Sequence, residues 1–73
     1  MEKLTREEKK AARIIGVTSA DVFPDGWNSC GRVYGLYNDY YYIRRTFCGS
    51  FSKSQIYRIL LRDLLNKIGY ITA

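Results

Sequence analysis

The stretch from Tyr37 to Arg45, YNDYYYIRR, concentrates the side chains best suited to molecular recognition. In a strand, successive side chains alternate between faces, so Tyr40, Tyr42 and Arg44 share one face and Tyr41, Ile43 and Phe47 the other. Ile43 and Phe47 mark the core side; Arg45 falls there too and must reach out at an edge. A tyrosine row interleaved with arginine stacks bases and holds phosphates. Tyrosine also favours strands and packs across hairpins for structural reasons alone, so the row supports both readings. Arg58 and Arg62 stand one helical turn apart, with Lys53 near the start of the same helix. They can meet phosphates, or simply solvate the polar face of an amphipathic helix. Arg32 and Tyr37 complete the candidate set from the preceding strand.

Catalytic chemistry finds little to work with. The chain has no histidine, and so lacks the commonest general base and the commonest nitrogen ligand for metals. Its two cysteines cannot complete a structural zinc site, which takes four ligands. There is no glycine loop to cradle phosphate. Asp21 and Asp25 straddle a proline turn, where surface solubility accounts for them better than acid–base work. The expectation is a protein that is not an enzyme, with no cofactor, no metal and no small-molecule substrate. Cys30 and Cys48 bracket the tyrosine-rich segment; a three-residue turn between its strands sets them opposite each other and a two-residue turn sets them diagonally. Either placement permits a disulfide if the geometry allows, but reduced thiols are the expectation for a cytosolic protein with so few cysteines.

Charge points to the partner. Of 73 residues, 12 are lysine or arginine and 7 aspartate or glutamate, a net charge of +5. Residues 1–26 are balanced, with Lys3, Arg6, Lys9, Lys10 and Arg13 against Glu2, Glu7, Glu8, Asp21 and Asp25. The whole excess lies in residues 27–73, which also carry the tyrosines. Such an excess attracts anionic partners without saying anything of fold. No apolar run approaches the roughly 18 residues that span a bilayer, and MEKLTREEKK lacks the apolar core of a secretion signal. A soluble, cytoplasmic protein with no membrane partner is expected.

The elements that must position these residues follow from local signals. Thr5 with Glu8 forms a capping box, and Leu4, Ala11, Ala12 and Ile15 share a face, which predicts a helix over 5–15 ended by Gly16. Thr18 or Ser19 caps a very short helix through Phe23, closed by turn chemistry at Pro24, Asp25 and Gly26. Residues 27–29 read as a connecting loop. Residues 32–37 and 40–47 are rich in strand formers and flank Asn38 and Asp39, which predicts a hairpin. Ser52 with Gln55 repeats the capping box, and Ile56, Leu60, Leu61, Leu64, Leu65 and Ile68 form an apolar stripe over 53–68. The predicted fold is α+β, one small domain over 1–73, with the hairpin packed on the C-terminal helix and the N-terminal helix alongside. Ile15, Ile43, Phe47, Ile56, Leu60 and Leu64 should form its core.

Two resemblances bear on function. Residues 11–22, AARIIGVTSADV, resemble part of a helix-turn-helix, with Ala12, Gly16, Val17 and Val22 at the family's small, turn and apolar positions. Pro24 leaves the second helix about one turn, too short to lie along a major groove, so a simple packing unit is the competing reading. The hairpin and the helix beginning at Phe51 and Ser52 resemble the strand–strand–helix end of AP2-type and integrase-arm DNA-binding domains, whose sheet has a third strand that this reading does not find. Both imply DNA binding. The first functional expectation is therefore a nucleic-acid-binding module, acting on DNA or RNA through the tyrosine-rich hairpin and the C-terminal helix. The second is a small phage or mobile-element protein that inhibits a host protein complex, since tyrosine, tryptophan and arginine also dominate protein–protein hot spots.

Overall fold

Both helices start at their capping boxes. The computed structural model describes residues 3–28 and 31–69 of an α+β domain. Helix α1 spans Arg6–Ile15. The Thr5 hydroxyl accepts from the Glu8 amide at 3.1 Å, and the Glu8 carboxylate accepts from the Thr5 amide at 2.8 Å. Gly16 ends the helix in the left-handed region, φ 87°, where its amide reaches the Ala12 carbonyl. Helix α2 spans Lys53–Lys67 behind the reciprocal Ser52 and Gln55 bonds.

Between the helices the chain departs from expectation. Thr18 does cap a helical turn, but it is a three-residue 3₁₀ turn, Ser19–Asp21, that runs straight into a strand. No recognition helix follows Gly16, so the helix-turn-helix likeness ends at the turn. Strand β1 is Val22–Asn28 and includes the expected turn at Pro24, Asp25 and Gly26 and the first two residues of the expected loop, whose third lies outside the described residues. It pairs antiparallel with β2, Gly31–Tyr37, which pairs with β3, Tyr42–Phe47. The sheet order is β1-β2-β3. Pro24 is tolerated because β1 is an edge strand. Asp25 is an extra residue there: the register shifts between Pro24 and Gly26, a β-bulge that absorbs the turn-forming sequence. With β1 in place, the sheet has three strands where the sequence reading found two.

The hairpin turn is also longer than expected. Tyr37 faces Tyr42, so Asn38 to Tyr41 form a four-residue connection. The Asn38 side-chain oxygen accepts from the amides of Tyr40 and Tyr41 at 3.0 and 2.7 Å, which holds both in the turn. Its side-chain amide donates to the Ile15 carbonyl at 3.3 Å and ties the turn to the end of α1. Tyr40 therefore does not extend the strand row of Tyr42 and Arg44. Cys48 is exposed, and its relation to Cys30 lies outside the described residues.

Helix α2 lies across β2 and β3, with α1 against α2. Ile56, Leu60, Leu61, Leu64 and Leu65 of α2 meet Val22, Tyr34, Leu36 and Phe47 of the sheet, and Ala11, Ala12 and Val17 seal the side. Ile15 and Ile43 pack against this core while partly exposed. Tyr57 closes it toward α1, donating its hydroxyl to the Val17 carbonyl at 3.2 Å.

Candidate functional site

Strand alternation divides the sheet residues between two faces. Val22, Tyr34, Leu36, Ile43, Arg45 and Phe47 point toward α2. The other face, which α2 leaves uncovered, carries Phe23, Val33, Gly35, Tyr37, Tyr42, Arg44 and Thr46, and the bulge delivers Asp25 to it. At its centre is Gly35, over whose backbone the Phe23 ring and the Tyr42 hydroxyl close. A Cβ there would lie 3.0 Å from the Phe23 ring and 3.1 Å from the Tyr42 hydroxyl. Phe23 and Tyr42 stand with ring centroids 6.1 Å apart, and Tyr42 and Tyr37 6.3 Å apart, edge to face. The result is a continuous aromatic strip across all three strands, with Tyr37 52% and Tyr42 38% exposed.

A polar triad borders the strip. Asp25 accepts from the Tyr42 hydroxyl and from Arg44 Nη1, both at 2.9 Å. The Arg44 hydrogen bond, supported by that of Tyr42, holds the Asp25 carboxyl below its ordinary range. Desolvation and then the Asp25 carboxylate push the Tyr42 hydroxyl upward, so it stays a protonated donor through the physiological range. Arg44 is itself held more firmly charged by Asp25.

The remaining candidates disperse. Tyr40 is 84% exposed at the hairpin tip, beside Tyr41. Arg32 lies over Trp27, its guanidinium 4.8 Å from the ring centroid, and donates to the Tyr34 hydroxyl at 2.9 Å. Trp27 is 73% exposed and borders a cavity of about 170 Å³ lined also by Tyr34, Phe47, Phe51 and Ile56. Arg45 reaches an edge, as its position on the core side requires, and pairs with Asp63 of α2 at 2.9 Å. Arg62 pairs with Glu8 of α1 at 2.8 Å. Burial raises the Glu8 carboxyl, but bonds from Arg62 and Thr5 outweigh it, and its net shift is downward. Lys53 is exposed at the start of α2. Arg58 is half-buried on the same helix, and its Nε has no hydrogen-bond partner among the described residues. The structure thus gathers Tyr37, Tyr42 and Arg44 and separates them from Lys53, Arg58 and Arg62.

Three exposed or half-buried residues near these sites escape a reading of the sequence: Phe23 and Asp25 on the uncovered face and Trp27 beside Arg32, all on β1. Pro24 and Gly26 mask the strand, although Val22, Phe23 and Trp27 are strand formers and proline is at home on a sheet edge. Among the described residues, no group of three or more cysteine, aspartate or glutamate side chains is placed to hold a metal ion, and no helix is long and apolar enough to cross a membrane.

No family model, curated protein or solved structure matches the chain. The reading of its function therefore rests on this geometry and its chemistry.

Proposed function

We propose that this chain is a non-enzymatic nucleic-acid-binding module that takes unpaired bases on the uncovered face of its sheet. The observation that carries this reading is the Phe23–Tyr42–Tyr37 strip, laid over Gly35 and bordered by a cation. Exposed rings on a rigid sheet stack bases at little entropic cost, because packing already restrains them. Arg44 supplies the phosphate contact. Its side chain is more than half exposed, and an ion pair open to solvent is weak, so a phosphate oxygen can replace the carboxylate. Arg32, Lys53 and Arg58 add positive potential that speeds the approach of the ligand. DNA and RNA present the same stacking surfaces and phosphates, and both are ligands of this face.

Fluorescence anisotropy with labelled single-stranded DNA and RNA tests the reading. Tyr42→Ala should weaken binding by roughly 1–3 kcal/mol and leave the salt dependence unchanged, because stacking releases few ions. Wild-type affinity in the Tyr42→Ala and Tyr37→Ala variants would remove the sheet face from the mechanism.

One observation favours a second reading, a small phage or mobile-element protein that modulates a host protein complex. Trp27 is largely exposed, stacked by Arg32, and stands beside the small cavity under Phe51. Tryptophan and arginine at a pocket rim make a protein hot spot. In that case nucleic-acid binding is weak, blind to sequence and lost at physiological salt, while Trp27→Ala abolishes capture of the protein partner.

A further inference from the structure

Helix α1 carries an organised cationic surface that the charge balance of the sequence conceals. Arg6, Lys9, Lys10 and Arg13 fall at i, i+3, i+4 and i+7, a single stripe opposite the buried Glu8, Ala11 and Ala12. All four are exposed, and their side chains surround one shallow depression. None of the four makes a side-chain hydrogen bond or ion pair with a described residue.

The acids that neutralise residues 1–26 on paper are spent elsewhere. Glu8 is 6% exposed and turned inward to Arg62 and to the Thr5 amide. Asp21 accepts from Thr18 in the 3₁₀ cap at 2.7 Å. Asp25 is on the sheet face with Arg44. Only Glu7 remains as an exposed acid on α1. Folding thus engages Glu8, Asp21 and Asp25 away from this face and leaves an external cationic ridge.

The ridge works against the helix that bears it. Four cation pairs stand at i,i+3 or i,i+4 spacing, each destabilising by about 0.2–0.5 kcal/mol. Arg6 also sits at the positive end of the helix dipole, where an anion is preferred. Arg13 suits the negative end of the dipole, but helix stability alone would intersperse acids among the other positions; a polyanionic ligand rewards the cations. From Arg6 to Arg13 the helix rises about 10 Å, which matches about three phosphates of one strand at 3.4 Å each along a duplex axis.

We infer that α1 is a second binding surface, one that contacts the phosphate backbone of a nucleic acid through Arg6, Lys9, Lys10 and Arg13. The identity of the ligand rests on the nucleic-acid reading above; the surface itself does not depend on the contacts of the sheet face. A lipid surface is disfavoured by the same geometry. Interfacial helices insert a broad apolar face, and that of α1 is buried against the core through Ala11 and Ala12, which leaves Ile14 as its one large exposed apolar side chain. Base-independent phosphate contact from α1 complements base stacking on the sheet and fixes where the strand enters or leaves.

The test compares the full-length wild type, Lys9→Ala/Lys10→Ala and Tyr42→Ala by anisotropy, on a short labelled DNA duplex and a labelled single strand, between about 50 and 200 mM salt. Removing two phosphate contacts should flatten the slope of log affinity against log salt by about 1.8 on the duplex and about 1.4 on the single strand. Relief of like-charge repulsion means that the double variant melts at or above the wild-type temperature, which separates lost contact from lost fold. An unchanged slope in the folded double variant overturns the inference, whatever Tyr42→Ala does. A flattened slope with wild-type binding by Tyr42→Ala keeps α1 and removes the sheet-face reading. Tight binding of the wild type to phosphatidylserine vesicles, lost in the double variant while its nucleic-acid slope stays unchanged, assigns the ridge to lipid and likewise overturns the inference.

Discussion

At the scale of single residues, Gly35 and Glu8 have the most to lose. A methyl group at Gly35 would meet the Phe23 ring and the Tyr42 hydroxyl at about 3 Å, so both side chains must shift by a few tenths of an ångström. Gly35→Ala should cost roughly 1–3 kcal/mol in urea denaturation, the range for overpacking a filled site. It should weaken single-strand binding as well, because the displaced rings are the stacking surface. Glu8 couples the helices through Arg62, and its native carboxyl is held below its ordinary value, near 4.3 in an unfolded chain. A depressed acid stabilises the fold fully above the unfolded value and loses that contribution as pH falls through the native one. Glu8→Gln should therefore cost about 1.5–3 kcal/mol at neutral pH, the range for hydrogen bonds to a charged group. Below about pH 4 the gap from wild type should shrink, since protonation removes the same charge. Denaturation midpoints measured across pH 3–7 check both the size and the direction. Asp25 titrates with the same sign, and its protonation frees Arg44 at the edge of the strip.

At the scale of elements, α2 and β1 behave in opposite ways. Helix α2 supplies five of the buried core side chains, and Leu60 and Leu64 are wholly enclosed. Leu60→Ala or Leu64→Ala should cost about 2–5 kcal/mol, enough to unfold much of so small a domain. Strand β1 is an edge element whose outer end is exposed rather than core. With 73% of its surface exposed, Trp27 stabilises little, and Trp27→Ala should shift the folding free energy by no more than about 0.5 kcal/mol. Circular dichroism melts of the three variants make the comparison direct. A large loss for Trp27→Ala would show that β1 is held by its tip rather than by its pairing with β2.

For the molecule as a whole, the distribution of charge matters more than its total. Arg44, Arg45 and Arg62 are paired with Asp25, Asp63 and Glu8, while the four cations of α1 face solvent unpaired. Unpaired cations therefore line the N-terminal helix, although the formal excess belongs to residues 27–73. Four contacts of this kind on a duplex give a slope near −3.6 in log affinity against log salt. Measuring that slope for the wild type on duplex DNA establishes how many cations engage at once.

What local sequence determines here is what can be decided within a few residues. Both capping boxes close between residues three apart, and the α2 stripe repeats each turn, so both helices, and the strand character of β2 and β3, are legible without a partner. Tyr37, Tyr42 and Arg44 are equally plain as recognition residues, and so is the need for Arg45 to reach an edge, whereas Phe23 is not. Other features only the tertiary structure decided. β1 exists because β2 offers it an edge; by itself its proline and glycine favour a turn. The four-residue connection at Asn38 depends in part on the carbonyl of Ile15, 23 residues away. Which carboxylate each arginine takes is settled across 54 residues for Arg62 and Glu8, and 19 for Arg44 and Asp25. Charge pairing of that kind has no period along the chain. It follows from which faces the hydrophobic core brings together, and it turns a balanced N-terminal segment into a cationic ridge.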